Sequence, residues 1–132
     1  MLKRIDHVGM AVKNVDECVN FFQQVLNAKV GFRQSDEKNK VKVAFLEIGD
    51  GLVELLEGLD LTVGIGKFVA EHGEGPHHIC FEVGNLEDSF STIGKKGVEL
   101  IDTKLKPGAY QKKIAFITKV NGTLIQFCEK IR

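Results

Sequence analysis

The chain writes one phrase twice. Residues 5–22 read IDHVGMAVKNVDECVNFF and residues 77–93 read HHICFEVGNLEDSFSTI, with His7 falling over His78 at an offset of 78 − 7 = 71. The same offset recurs downstream, where KVAFLEIGDGLVELLE (42–57) matches KIAFITKVNGTLIQFCE (113–129), setting Lys42 over Lys113, Ala44 over Ala115 and Phe45 over Phe116. One extra residue, expected near the Asn121-Gly122 turn, then sets Glu54 over Gln126 at 126 − 54 = 72. Two copies at so long a period suit a pseudo-two-fold domain better than a solenoid. A chain of 132 residues has the size of one such domain. The expected division is a first module at about 1–58, a connecting helix at about 61–73 and a second module at about 76–132.

Each copy reads as strand, helix and further strands. Residues 4–12 alternate, with Val8, Met10 and Val12 on one face and His7, Gly9 and Ala11 on the other. A helix starting at Asn14 or Asp16 carries Val15, Cys18, Val19, Phe22 and Leu26 at helical spacing. In the second copy Ile79, Phe81 and Val83 oppose His78, Cys80 and Glu82, and a helix runs from about Leu86 to Lys96. GDG (49–51) and VNG (120–122) mark hairpins, and a helix around Val63–His72 ends at Gly73.

A helix covers one sheet face, so the branched apolar sets should face the helices. Val53, Leu55, Ile125 and Phe127 claim the same side, which leaves His7, His78, Glu54 and Gln126 on the other face. Alone, His7 would read as a buried histidine bonded to backbone. The repeat changes that, because two imidazoles and two oxygen donors fall at matched positions. Such a set suits a divalent transition metal such as Zn, Ni, Co or Fe. With one carboxylate the site would keep about one positive charge, which favours an anionic or enolate-forming substrate.

The strand opening IDHVGMAV, the hairpin VAFLEIGDGLVELLE, the segment GEGPHHICFEV and the run LIQFCEK resemble the vicinal-oxygen-chelate superfamily, the glyoxalase/bleomycin resistance/dioxygenase group. Within it they are most similar to the methylmalonyl-CoA epimerase branch, over nearly the whole chain. The resemblance implies an α+β fold of two pseudo-symmetric βαβββ modules forming an eight-stranded cupped mixed sheet. It implies a divalent metal (Co, Ni, Zn, Mn or Fe) held at the positions of His7, Glu54, His78 and Gln126, and a homodimer. It also implies proton transfer beside a carbonyl, with Glu54 as first acid/base candidate and Glu47 and Glu82 competing for the second face. The family usually has a carboxylate where this chain has Gln126, and an amide cannot accept a proton at neutral pH.

The best-matched activity is therefore a metal-dependent, enolate-forming isomerase, an epimerase of methylmalonyl-CoA or a similar acyl-CoA. Alternatives are a glyoxalase I (lactoylglutathione lyase) type isomerase acting on a glutathione adduct, a non-heme iron dioxygenase using His7, His78 and Glu54, and a non-catalytic small-molecule binder. Eighteen basic residues balance eighteen acidic ones, so no global field draws nucleic acid or an anionic membrane. No apolar run approaches a membrane span. Cys18, Cys80 and Cys128 are odd in number and widely spaced, as expected of a cytoplasmic protein without disulfides. Cys80 and Cys128 are expected to be small apolar filling, and His77 to be structural or to support the site residues from behind. The loop KLKPGAYQKK (104–113), with four lysines and the only tyrosine, is expected to be solvated, or to hold phosphates of a CoA thioester or carboxylates of glutathione.

Overall fold

Asn14 and Asn85, at a separation of 85 − 14 = 71, start the helices of the two copies. In the computed structural model the Asn14 side chain accepts from the Glu17 amide at 2.9 Å, and Asn85 from the Asp88 amide at 2.9 Å. Each bond satisfies a donor that the first helical turn cannot. All residues are described except Ala109, Gln111, Ile131 and Arg132. The elements are β1 (Leu2–Val12), α1 (Val15–Leu26), β2 (Lys29–Asp36), β3 (Val41–Ile48), β4 (Gly51–Gly58), α2 (Gly64–His72), β5 (Gly75–Val83), α3 (Leu86–Lys95), β6 (Lys106–Gly108), β7 (Lys112–Val120) and β8 (Thr123–Lys130). The strands follow the order β2-β3-β4-β1-β5-β8-β7-β6 in an eight-stranded mixed sheet, an α+β fold. Exchanging β1 with β5 and β4 with β8, and likewise outward, reproduces that order. None of the described helices is long and apolar enough to cross a membrane.

The chain forms two compact units, Val8–His77 and Met1–His7 with His78–Arg132. Their boundaries differ from those of the sequence copies, because β1 is long and its first half belongs with the strands of the second copy. In the Val8–His77 unit, Val12, Val15, Val19, Ala44, Leu46 and Leu55 make a core, with Met10, Cys18, Phe22 and Val53 packed against it. In the other unit Val83, Leu86, Ala115, Ile117 and Phe127 do the same, joined by Phe81, Phe90 and Ile125. The two sets correspond nearly residue for residue through the repeat. Leu26 departs from the expected helix face and is 55% exposed, since α1 ends there and its inner stripe closes at Phe22.

A second repeated device ties each helix start to a strand of its own copy. Glu57 accepts from the Val15 amide at 2.8 Å, and Glu129 accepts from the Leu86 amide at 2.7 Å. A carboxylate there also meets the positive end of the helix dipole.

The extra residue of the second copy does not lie at the turn. Both hairpins close over two residues, with Ile48 opposite Gly51 and Val120 opposite Thr123. Asn121 and Gly122 both have positive φ, the geometry of a type I′ turn. The insertion is a bulge in β7, where the register passes from Phe116↔Gln126 to Thr118↔Ile125 and leaves Ile117 without a partner. Ile117 is 2% exposed and fills the core, so the bulge is anchored by burial.

Candidate functional site

The imidazoles of His7 and His78 meet edge to face, with ring centroids 5.1 Å apart and Nε2 to Nε2 at 3.1 Å. Both are nearly buried. Two ring nitrogens this close can share one proton or one cation. The ring of Phe116 stands edge-on to His78 with centroids 5.5 Å apart. Gln126 pairs with Phe116 on one side and with Cys80 on the other, which keeps it on the His78 face of the ladder. It is 4% exposed, and among the described residues its Oε1 is the buried side-chain oxygen that lacks a hydrogen-bond partner.

In the Val8–His77 unit, Glu54 lies on β4 opposite Phe45, the place in its hairpin that Gln126 takes opposite Phe116. Glu47 also lies on β3, paired in register with Lys29, whose Nζ stands 3.3 Å from its carboxylate at a partly exposed edge. Glu82, in the other unit, accepts from the Arg4 guanidinium at 3.0 Å, with the Lys130 Nζ at 3.5 Å. Burial pushes its carboxyl up, but the Arg4 hydrogen bond and the charges of Lys130 and Arg4 outweigh burial and hold it below the usual range.

Asp6, Lys112 and Arg4 were not expected at the site. Asp6 is wholly buried, and its Oδ2 lies 2.7 Å from the His7 Nδ1, within hydrogen-bond distance. The Lys112 Nζ donates to both Asp6 oxygens at 2.7 Å, and the Arg4 Nη2 to Oδ1 at 3.3 Å. Burial alone would raise the Asp6 carboxyl; hydrogen bonds from His7 and Lys112, with the Lys112 charge, hold it well below the usual range instead. Strict alternation would turn Asp6 away from His7, yet the two consecutive residues are both buried and bonded to each other. The one signal in the sequence is a charge placed where alternation predicts an apolar residue. The lysine-rich loop is also only partly solvated, since Lys112 at the start of β7 is 6% exposed.

Cys80 and Cys128 are both inaccessible to solvent. The hydrogen bond between the two sulfurs pushes the Cys80 thiol up and the Cys128 thiol down. Their sulfurs and an Asp6 oxygen lie within 4.8 Å of one another, but both Asp6 oxygens already accept from Lys112. His77 packs edge-on against Phe68 with centroids 4.8 Å apart.

A family model described as the Glyoxalase/Bleomycin resistance protein/Dioxygenase superfamily matches residues 6–116. The chain is 35% identical over 130 residues to the uncharacterised protein YqjC of Bacillus subtilis, covering 97% of this chain and 93% of that one. It is 28% identical over 130 residues to the ethylmalonyl-CoA/methylmalonyl-CoA epimerase of Cereibacter sphaeroides, covering 96% and 97%. A solved structure of methylmalonyl-CoA epimerase in complex with methylmalonyl-CoA and NH4+ aligns with a TM-score of 0.92 at 28% identity, covering 98% of this chain and 96% of that one.

Proposed function

The chain belongs to the glyoxalase/bleomycin resistance protein/dioxygenase superfamily, and from that premise we propose that it is a metal-dependent, enolate-forming isomerase that moves the α-proton of methylmalonyl-CoA or a similar acyl-CoA. The observation that carries the reading is the buried Gln126 Oε1 without a partner, on the face of the paired imidazoles. Buried oxygens that the protein itself leaves unpaired are rare, and a bound ion or water is what completes them. His7 and His78 supply nitrogen donors, Gln126 an amide oxygen, and Glu54, its counterpart in the repeat, a carboxylate. This donor chemistry fits a divalent ion such as Co, Ni, Zn, Mn or Fe.

A bound ion would supply Lewis acidity, polarising the substrate oxygens so that negative charge can develop on them. Glu54 takes the proton from C2 onto its carboxylate, and the C–H electron pair moves toward the thioester carbonyl. C2 is reprotonated either by Glu54, which restores the configuration, or by solvent water on the opposite face, which inverts it. Gln126 carries no proton at its oxygen. Glu82 is held as an anion by Arg4 and Lys130, which makes it a weak base, and Glu47 is engaged by Lys29 in an ion pair at the sheet edge. The proposal therefore has one base on one face of the substrate, and exchange at C2 outruns inversion. The resemblance extends the reading to a homodimer.

The test is incubation of the purified protein with Co2+ and methylmalonyl-CoA in D2O, following deuterium at C2 and configuration together. The expected result is deuterium uptake that precedes loss of optical purity. Absence of C2 exchange under any metal sinks the acyl-CoA reading, and lactoylglutathione formation instead would move the protein to the glutathione-dependent isomerases.

A further inference from the structure

Asp6 and Lys112 stand outside the repeat. The residues at the matching positions are His77, at 77 − 6 = 71, and Val41, at 112 − 41 = 71. Neither reproduces a carboxylate–ammonium pair. The helix caps, both cores and the hairpins are all duplicated, so an element present in one copy alone is not required by the module's fold. Burying this pair is also expensive. Lysine is almost never buried without a partner, and a buried ion pair adds little net stability over apolar side chains of similar volume.

We propose that Asp6, anchored by Lys112, is a positioning residue that holds His7 as the Nδ1–H tautomer and so presents its Nε2 lone pair toward His78. The inference rests in part on the metal reading above. An ionised carboxylate only accepts hydrogen bonds, so at 2.7 Å from the Asp6 Oδ2 the His7 Nδ1 is the donor. A neutral imidazole then keeps its lone pair on Nε2, the atom 3.1 Å from the His78 Nε2. The bond also fixes the ring's rotation, because Asp6 itself cannot turn. Both its oxygens are held by the Lys112 Nζ, and Oδ1 also by Arg4. Partners of this kind orient a metal-binding imidazole and raise its basicity.

The test has two arms, both on the full chain. In metal-free, 15N-labelled wild-type protein, long-range 1H–15N spectra identify the His7 tautomer, with Nδ1–H expected. The double variant Asp6→Leu with Lys112→Met replaces the pair by apolar groups without stranding a buried charge. Its fold is checked by circular dichroism. It is expected to show both His7 tautomers and to bind Co2+ about 10- to 100-fold more weakly by calorimetry. A wild-type His7 protonated at Nε2 overturns the proposal with no variant needed. A folded double variant with an unchanged tautomer and a Co2+ affinity within about twofold of wild type overturns it equally. Failure of the wild type to bind Co2+ would refute the metal reading, while the tautomer measurement would still decide the role of Asp6.

Discussion

Gln126 lies across the β7–β8 ladder from Phe116, and its Oε1 is buried without a hydrogen bond. Leaving such an oxygen unpaired costs about 1–3 kcal/mol, which a ligand would recover. Gln126→Glu puts a carboxylate in the same space. Without an ion it buries an extra negative charge; with one it restores a group able to carry a proton. The variant is expected to melt below wild type in EDTA, to recover in saturating Co2+, and to raise the ratio of inversion to exchange in D2O. A melting temperature indifferent to both reagents would count against Gln126 as a ligand.

The paired imidazoles make a direct prediction about loading. Wild-type protein is expected to bind one Co2+ per chain, and His7→Ala or His78→Ala to lose that stoichiometry while remaining folded. Saturating metal at about 100 times its dissociation constant stabilises a fold by about 2.7 kcal/mol, so EDTA should lower the wild-type melting temperature and leave both variants unchanged. Elemental analysis together with thermal melts checks both halves of the claim.

Glu57 and Glu129 each hold the first amide of a helix from a neighbouring strand, at 2.8 and 2.7 Å. Truncation strands a helix N-terminal donor and removes a charge that the dipole favours. Glu57→Ala and Glu129→Ala should each cost about 1–3 kcal/mol in urea unfolding, the range for a hydrogen bond to a charged group. Similar losses are expected, since the repeat gives the two residues the same task. A loss below about 0.5 kcal/mol in both would make the caps incidental.

What the sequence made legible is what the repeat duplicates. Val12 over Val83, Ala44 over Ala115 and Leu55 over Phe127 are core residues in both copies because burial on a helix-covered face demands the same periodicity twice. His7 over His78 was legible for the same reason. Ile117 was not, because a one-residue insertion shifts an alignment equally whether it sits at a turn or in a strand, and only the ladder distinguishes them. Asp6 and Lys112 were missed because their bond joins residues 106 apart and Asp6 breaks the alternation that placed its neighbours. Long-range ion pairs leave no periodic trace.

The last prediction concerns Glu82, which two cations hold as an anion. Burial raises its carboxyl, and the Arg4 hydrogen bond with the Lys130 and Arg4 charges overcomes burial and lowers it. A carboxyl depressed on folding contributes stability that is present above its unfolded pKa, about 4.3, and is lost as pH falls through the folded value. Carboxyl 13C titration of the folded protein should therefore place the Glu82 midpoint below about 4.3. Arg4→Gln should move that midpoint upward, because burial then acts against fewer cations. The Glu82 contribution to acid stability would accordingly fade at a higher pH in the variant. A wild-type midpoint above about 4.3 would mean that desolvation dominates. Glu82 would then be poised as a proton carrier rather than fixed as a counter-ion, and the assignment of a single base to Glu54 would have to be withdrawn.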